Sequence, residues 1–208
     1  MSRRTKLFIV IGVILFLAVV IGVFIIIRNK KTKEEEFKTI DSSVVMPYLK
    51  DGDIILRLGD GPWSPAFRDM SLTDKRFSHL GIVRIDDGNI SIINSVGYLT
   101  NKKKGVEAKT LEEFLSVAKV AGVFRANFVE GSKISDKAVE YVNCPFDWDF
   151  DLNDDSKIYC TELLYAVLKY YALENYLTTI YIEKIKKEIV PLDSISNSAA
   201  FDEIIYFK

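Results

Sequence analysis

Three patterns of hydrophobic and polar positions run along this chain, and each predicts a different kind of element. The first is an unbroken apolar run from Leu7 to Ile27. As a helix its residues, about 21 at about 1.5 Å rise each, reach roughly 30 Å, the thickness of the hydrocarbon core of a bilayer. No small-x-small pair closes the run, because Ile25-Ile26-Ile27 leads straight into Arg28, so it does not end as a cleaved signal does. Residues 1–28 are therefore predicted to be a transmembrane anchor. Residues 29–41 are mostly charged and without apolar period, as in a linker, and a globular domain is expected over 42–208.

Within that domain the second pattern is strand-like. Asp51-Gly52-Asp53 is a turn signal before the apolar run Ile54 to Leu58, a predicted buried strand, and a Gly/Pro-rich loop is expected from Gly59 to Pro65. Leu80 to Ile85 and Ile90 to Val96 flank Asp86-Asp87-Gly88-Asn89, whose Asp-Gly chemistry predicts a hairpin. Further strands are expected at Val120 to Phe124 and Glu203 to Phe207.

The third pattern is helical. Thr110 and Glu113 have capping-box spacing, with Leu111, Phe114 and Leu115 as the apolar face of a short helix. Ile134, Ala138, Tyr141 and Val142 repeat at helical spacing up to Cys144-Pro145, where the proline disfavours helix at the residue before it. From Cys160 to Tyr171 apolar residues fall at i, i+3, i+4, i+7 and i+8, the strongest helix in the domain, and Cys160 opens it.

Composition narrows the function classes. The chain has 208 residues and a formal net charge of −1, which provides no basic field for nucleic acid. The Lys102-Lys103-Lys104 run reads as a solvated loop. Arg3, Arg4 and Lys6 before the apolar run are balanced by Arg28, Lys30, Lys31 and Lys33 after it, so charge does not set the orientation.

The candidate chemistry is sparse: one histidine, His79, and two cysteines, Cys144 and Cys160. A thiolate is favoured at a helix N-terminus and beside an imidazolium, which points to Cys160. Cys144, at a predicted helix C-terminus, meets the opposite field. A buried core cysteine and a Cys144–Cys160 disulfide are alternatives for the same residue. The single histidine is far in sequence from both cysteines and no paired ligand spacing occurs, so no metal or other cofactor is expected.

The surroundings of these residues carry a resemblance. Gly52-Asp53-Ile54-Ile55, then Phe77-Ser78-His79-Leu80-Gly81-Ile82-Val83, and much later Ile158-Tyr159-Cys160-Thr161-Glu162-Leu163-Leu164 resemble the permuted papain-like amidases of the YaeF/YiiX type, within the NlpC-like cysteine peptidases. The resemblance takes in Lys104 to Glu107, Leu111 to Leu115 and Pro145 to Phe150, in order. It implies an α+β, circularly permuted papain-like fold: an antiparallel sheet or partial barrel packed on a cysteine-bearing helix, behind one transmembrane helix. It also implies acyl transfer, with His79 as base and Cys160 as nucleophile.

In such folds a third group orients the imidazole from the next strand. Period-2 alternation puts Ile90, Ile92 and Asn94 on one face of that strand and Ser91, Ile93 and Ser95 on the other. Asn94 is the expected partner, a departure from the carboxylate of many relatives, and Ser91 is the reserve. The backbone N–H of Cys160 is the expected oxyanion donor. Tyr159 is a candidate lining residue, Asp53 a turn former, and Glu162 a charge favoured by the helix dipole. The acidic loop of Asp147, Asp149, Asp151, Asp154 and Asp155 is a candidate selector of cationic groups. The expected protein is thus a single-pass membrane protein with an outward-facing amidase or peptidase domain for peptide-like, cell-wall substrates. Lipid acyl transfer or phospholipase chemistry on lipid-like substrates, and non-catalytic binding, are the alternatives.

Overall fold

The Asp87-Gly88 turn organises the centre of the domain. Its φ angles are 47° and 79°, the left-handed pair that a two-residue I′ hairpin requires and that Asp-Gly adopts at low cost. It joins β2 (His79–Asp86) to β3 (Asn89–Ser95), with Asp86 opposite Asn89. The computed structural model describes residues 39–97 and 104–208. The predicted anchor, most of the linker and Lys102-Lys103 lie outside the described residues. Thr39–Lys208 packs as one compact unit, and no helix among the described residues is long and apolar enough to cross a membrane.

Six strands form one antiparallel sheet in the order β4-β3-β2-β1-β5-β8, where β1 is Ile54–Gly59, β4 Val106–Thr110, β5 Ala118–Ala126 and β8 Phe201–Phe207. The edge strands β4 and β8 do not pair with each other, so of the two expected forms the sheet is the open one. A separate hairpin pairs β6 (Ile180–Ile182) with β7 (Lys187–Ile189).

Both faces of the sheet are covered, which explains why its central strands read as nearly continuous apolar runs. Side chains alternate between two cores. Ile54, Leu56, Leu80, Ile82 and Ile93 face one core, shared with α4 (Gly131–Glu140) and α5 (Cys160–Tyr170). Ile55, Val83 and Ile92 face the other, shared with α1 (Ser42–Val45) and α3 (Leu111–Leu115). The α3 capping box is present as expected: Thr110 Oγ1 accepts the Glu113 N–H at 3.1 Å, and Glu113 accepts the Thr110 N–H at 3.0 Å.

Two boundaries differ from expectation. The Gly/Pro-rich loop turns into α2 (Ser64–Met70), with Pro65 in its first turn; proline there sacrifices no helical hydrogen bond. Helix α4 stops at Glu140, before the proline, because Asn143 takes a left-handed φ of 75° and donates its N–H to the Val106 carbonyl at 2.9 Å. That segment extends the edge at β4, and long-range pairing of this kind left no periodic signal. A short helix α6 (Asp193–Ser196) precedes β8.

Candidate active site

His79 begins β2, and alternation turns it, Gly81 and Val83 toward the α3 core. Arg57 of β1, its cross-strand partner, faces the same way. The imidazole stacks on Phe114 of α3 with ring centroids 5.8 Å apart, and the Arg57 guanidinium sits 4.8 Å over the same ring. Gly81 makes this packing possible. A Cβ there would lie 2.3 Å from Ile92 Cγ2 and 3.0 Å from Phe114 Cε2.

Asn94 meets the imidazole as the strand pattern predicts: its Oδ1 lies 3.1 Å from His79 Nε2. The amide is fully buried, and its Nδ2 donates to the Glu107 carbonyl of β4 at 3.3 Å. With Nδ2 committed to a carbonyl, Oδ1 is an acceptor, so Nε2 carries the ring proton and Nδ1 is the basic nitrogen. Ser91 lies three residues along the strand, opposite Arg84, roughly 10 Å from Asn94 at about 3.3 Å per residue, and is not at the histidine.

Cys160 arrives through an opening in the sheet. The β2–β3 ladder ends at the Ile82–Ile93 pair. Beyond it the start of α5 enters: Ser95 Oγ donates to the Ile158 carbonyl, and the Leu80 N–H is directed at the Cys160 sulfur. Cys160 thus sits against the residue next to the histidine. Its own N–H and that of Thr161 also point to the sulfur, as expected at a helix N-terminus.

The resting charge state follows from burial. Cys160 is 2% exposed, and burial pushes its thiol up to about 12 against the pull of the three amides and Arg57. His79 is pushed down to about 3, by burial first, then by the Arg57 charge, with the Asn94 bond opposing and Lys109 adding to the depression. Cys160 therefore rests as a neutral thiol and His79 as a neutral imidazole.

The other cysteine stands apart. Cys144 is a free thiol that donates to the Ser156 carbonyl at 3.2 Å, and burial, then Glu162, raises its pKa. Cys160 is also free, so the disulfide alternative does not occur. Tyr159 is buried, and its hydroxyl accepts the Val190 N–H at 3.0 Å while its ring lines the space beside Cys160. Asp53 accepts the Lys50 N–H and pairs with Arg125 at 2.7 Å, a turn and strand staple. Glu162 caps its own helix, accepting the Tyr159 N–H at 2.9 Å, and burial, followed by that opposing bond and the charges of Asp147, Asp155 and Asp151, brings its carboxyl up to about 8.

The acidic loop is internally satisfied. Asp147 accepts two loop N–H groups, Asp149 pairs with Lys157 at 3.0 Å and Asp155 with Lys169 at 3.0 Å. These contacts stabilise the loop leading to Cys160, and they occupy charges otherwise open to a cationic ligand. Among the described residues no group of three or more His, Cys, Asp or Glu is placed to hold a metal ion. Sequence reasoning placed Arg57 and Ser95 on strands, Phe114 on the apolar face of a short helix and Gly81 in the family-like string, and gave none of them a place at the site. Only strand pairing and the α3 crossing bring them there.

The profile of the permuted papain-like amidase enzymes, YaeF/YiiX, C92 family, matches residues 48–196. Among solved structures, the metalloprotein yiiX from Escherichia coli O157:H7 superposes with a TM-score of 0.62 at 16% identity, over 75% of this chain and 96% of that one. No curated protein matches the chain. The chain belongs to the permuted papain-like amidase family, and its fold is the permuted papain-like arrangement of antiparallel sheet and helices.

Proposed function

We propose that this permuted papain-like amidase is a membrane-tethered cysteine hydrolase, with Cys160 as nucleophile, His79 as general base and Asn94 as the residue that orients the imidazole. The observation that carries the reading is the His79 Nε2–Asn94 Oδ1 bond: it reserves Nδ1 for a thiol held against the adjoining Leu80 amide. In the first step the thiol proton passes to Nδ1 while sulfur bonds to the acyl carbon. The Cys160 N–H supports the oxyanion. As the intermediate collapses, the carbon–nitrogen bond breaks and the imidazolium returns the proton to the departing amine. Water then adds to the thioester by the same exchange, releasing a carboxylic acid and the free thiol.

Small peptide amides, including those of cell walls, are the leading substrates, and the apolar segment at residues 7–27 would keep the site near a membrane. The outward-facing orientation rests on the family resemblance alone. Lipid acyl transfer is a second reading, favoured by the apolar lining beside Cys160. The neighbour's printed description as a metalloprotein has no counterpart in a donor cluster among the described residues of this chain.

The test is acylation of the full chain by a short activated ester, 4-nitrophenyl acetate, followed by intact mass. Wild type should acquire one acetyl group, located on Cys160. Cys160→Ala should acquire none there, and His79→Ala should react about 100-fold or more slowly, the usual loss of a general base. Equal acylation of wild type and His79→Ala would leave a binding domain with an inert buried cysteine.

A further inference from the structure

The first element of the domain is apolar on both sides. Val45 and Leu49 are buried in the core shared with α3. Val44, Met46 and Tyr48, set between and beside them along α1 and the 3₁₀ turn Met46–Tyr48, are 48%, 48% and 44% exposed. Apolar residues exposed singly are ordinary on a protein surface, but these fall within five consecutive residues, with Pro47 exposed among them. The segment is also fixed in place. The Arg125 guanidinium donates to the Tyr48 carbonyl at 3.2 Å, and the Tyr48 ring meets Phe207 edge-on with centroids 6.0 Å apart. A helical element that is apolar all round calls for a second apolar partner. Two exposed lysines adjoin it, Lys50 after the buried Leu49 and Lys208 after Phe207. The carboxylate on the segment, Asp41, is turned onto the Ser43 N–H at 2.9 Å.

We infer that Val44, Met46 and Tyr48 are the face by which the domain seats on a lipid bilayer, lying at the boundary of headgroups and acyl chains, with Lys50 and Lys208 at the level of the lipid phosphates. The inference rests on the membrane-tethered reading proposed above and adds the point of contact. The choice of partner follows from the chain itself. Arg28 to Lys38, 11 residues, separate the apolar run from the described domain, and fully extended they reach no more than about 40 Å. Along the chain, α1 is therefore the element held nearest to lipid, and it is the one that carries unburied apolar side chains on a fixed backbone. Tyrosine and lysine are also the residue types that suit this depth, the ring at the interface and the ammonium among the phosphates. Other exposed large apolar residues lack that connection. Trp63 and Leu72 stand at opposite ends of α2, and Tyr181 and Ile185 belong to the β6–β7 hairpin, all remote in sequence from the tether.

The test uses the full chain in vesicles of phosphatidylethanolamine and phosphatidylglycerol. The photoreactive residue p-benzoylphenylalanine replaces Met46 or, for comparison, Leu72, which is 69% exposed, and lipid adducts formed on illumination are counted by intact mass. A seated face dips about 5–10 Å into the headgroup and acyl boundary, so the residue at position 46 should give at least about tenfold more lipid adduct than the one at position 72. Val44→Asp together with Tyr48→Asp should bring the yield at position 46 down to that at position 72, while carbonate-resistant flotation with the vesicles and the circular dichroism spectrum stay as in wild type. Equal adduct at the two positions in a chain that still floats would overturn the seating face and leave the tether standing. So would a yield at position 46 that survives both aspartates. A chain that carbonate strips from the vesicles would remove the tether, and the seating face with it.

Discussion

Replacing Asn94 by alanine tests the whole arrangement at one atom. The amide lies fully buried, with its oxygen 3.1 Å from His79 Nε2, so alanine takes the acceptor away from that N–H. In the resting enzyme that bond is neutral. When Nδ1 takes the thiol proton the ring becomes imidazolium, and the same bond becomes charge-assisted, worth about 1.5–3 kcal/mol net. Loss of that stabilisation, together with free choice of tautomer, should slow Cys160 acylation by about tenfold to 150-fold.

Rate alone could fall through misfolding, so a second readout is needed, and the composition supplies it. The chain contains one histidine, so ¹⁵N resonances of the imidazole report His79 without assignment. In wild type they should show a single tautomer protonated at Nε2; in Asn94→Ala they should show a mixture. An acylation rate within about threefold of wild type, or an unaltered tautomer in the variant, would refute the claim that Asn94 orients the base.

Two further outcomes follow from the packing and the buried charges. Gly81→Ala introduces a Cβ 2.3 Å from Ile92 and 3.0 Å from Phe114; such overpacking costs about 1–3 kcal/mol, so calorimetry should find Tm lowered by several degrees, and Phe114 forced off the imidazole should slow acylation as well. Glu162 holds its proton up to about pH 8 when folded but only to 4.5 when free, so the folded state binds the extra proton and stability falls as pH rises through that window. His79 acts oppositely, losing stability as pH drops from 6.5 toward 3, which leaves pH 6.5–8 governed by Glu162. Glu162→Gln keeps an acceptor for the Tyr159 N–H and should abolish the decline in Tm from pH 6.5 to 8; a decline unchanged in the variant would assign it elsewhere.

What could be read from the amino acids and what could not divides by distance along the chain. The β2–β3 hairpin is a local structure with a strong turn, so its register, and with it the juxtaposition of His79 and Asn94, follows from alternation. Cys160 is marked by the apolar period of its own helix. Arg57, Phe114 and Ser95 carry no such mark, because their roles arise where β1, α3 and the loop before α5 meet the hairpin. The small cavity beside Cys160 is further removed still: its Ile189–Leu192 wall lies some 30 residues beyond Cys160, across an intervening helix and hairpin. The shifts of the thiol and the imidazole are products of burial, which no local pattern reports.

These two classes of information meet at the opening in the sheet. Leu80 and Ser95 stand at the point where β2 and β3 would continue to pair, yet the ladder stops at Ile82 and Ile93. The Leu80 amide turns to the Cys160 sulfur, and the Ser95 hydroxyl holds the Ile158 carbonyl. Cys160 is thereby referenced to Leu80, the residue that follows His79 on the same strand. The thiol's position depends on the mouth of the hairpin and on a helix N-terminus, and not on the route by which the chain arrives there. A chain that supplies the histidine strand first and the cysteine helix last can therefore bring these two residues to the same hairpin as one threaded in the reverse order. What the connectivity does change is the segment that follows the cysteine helix, and in this chain part of that segment, Ile189 to Leu192, lines the small cavity beside Cys160.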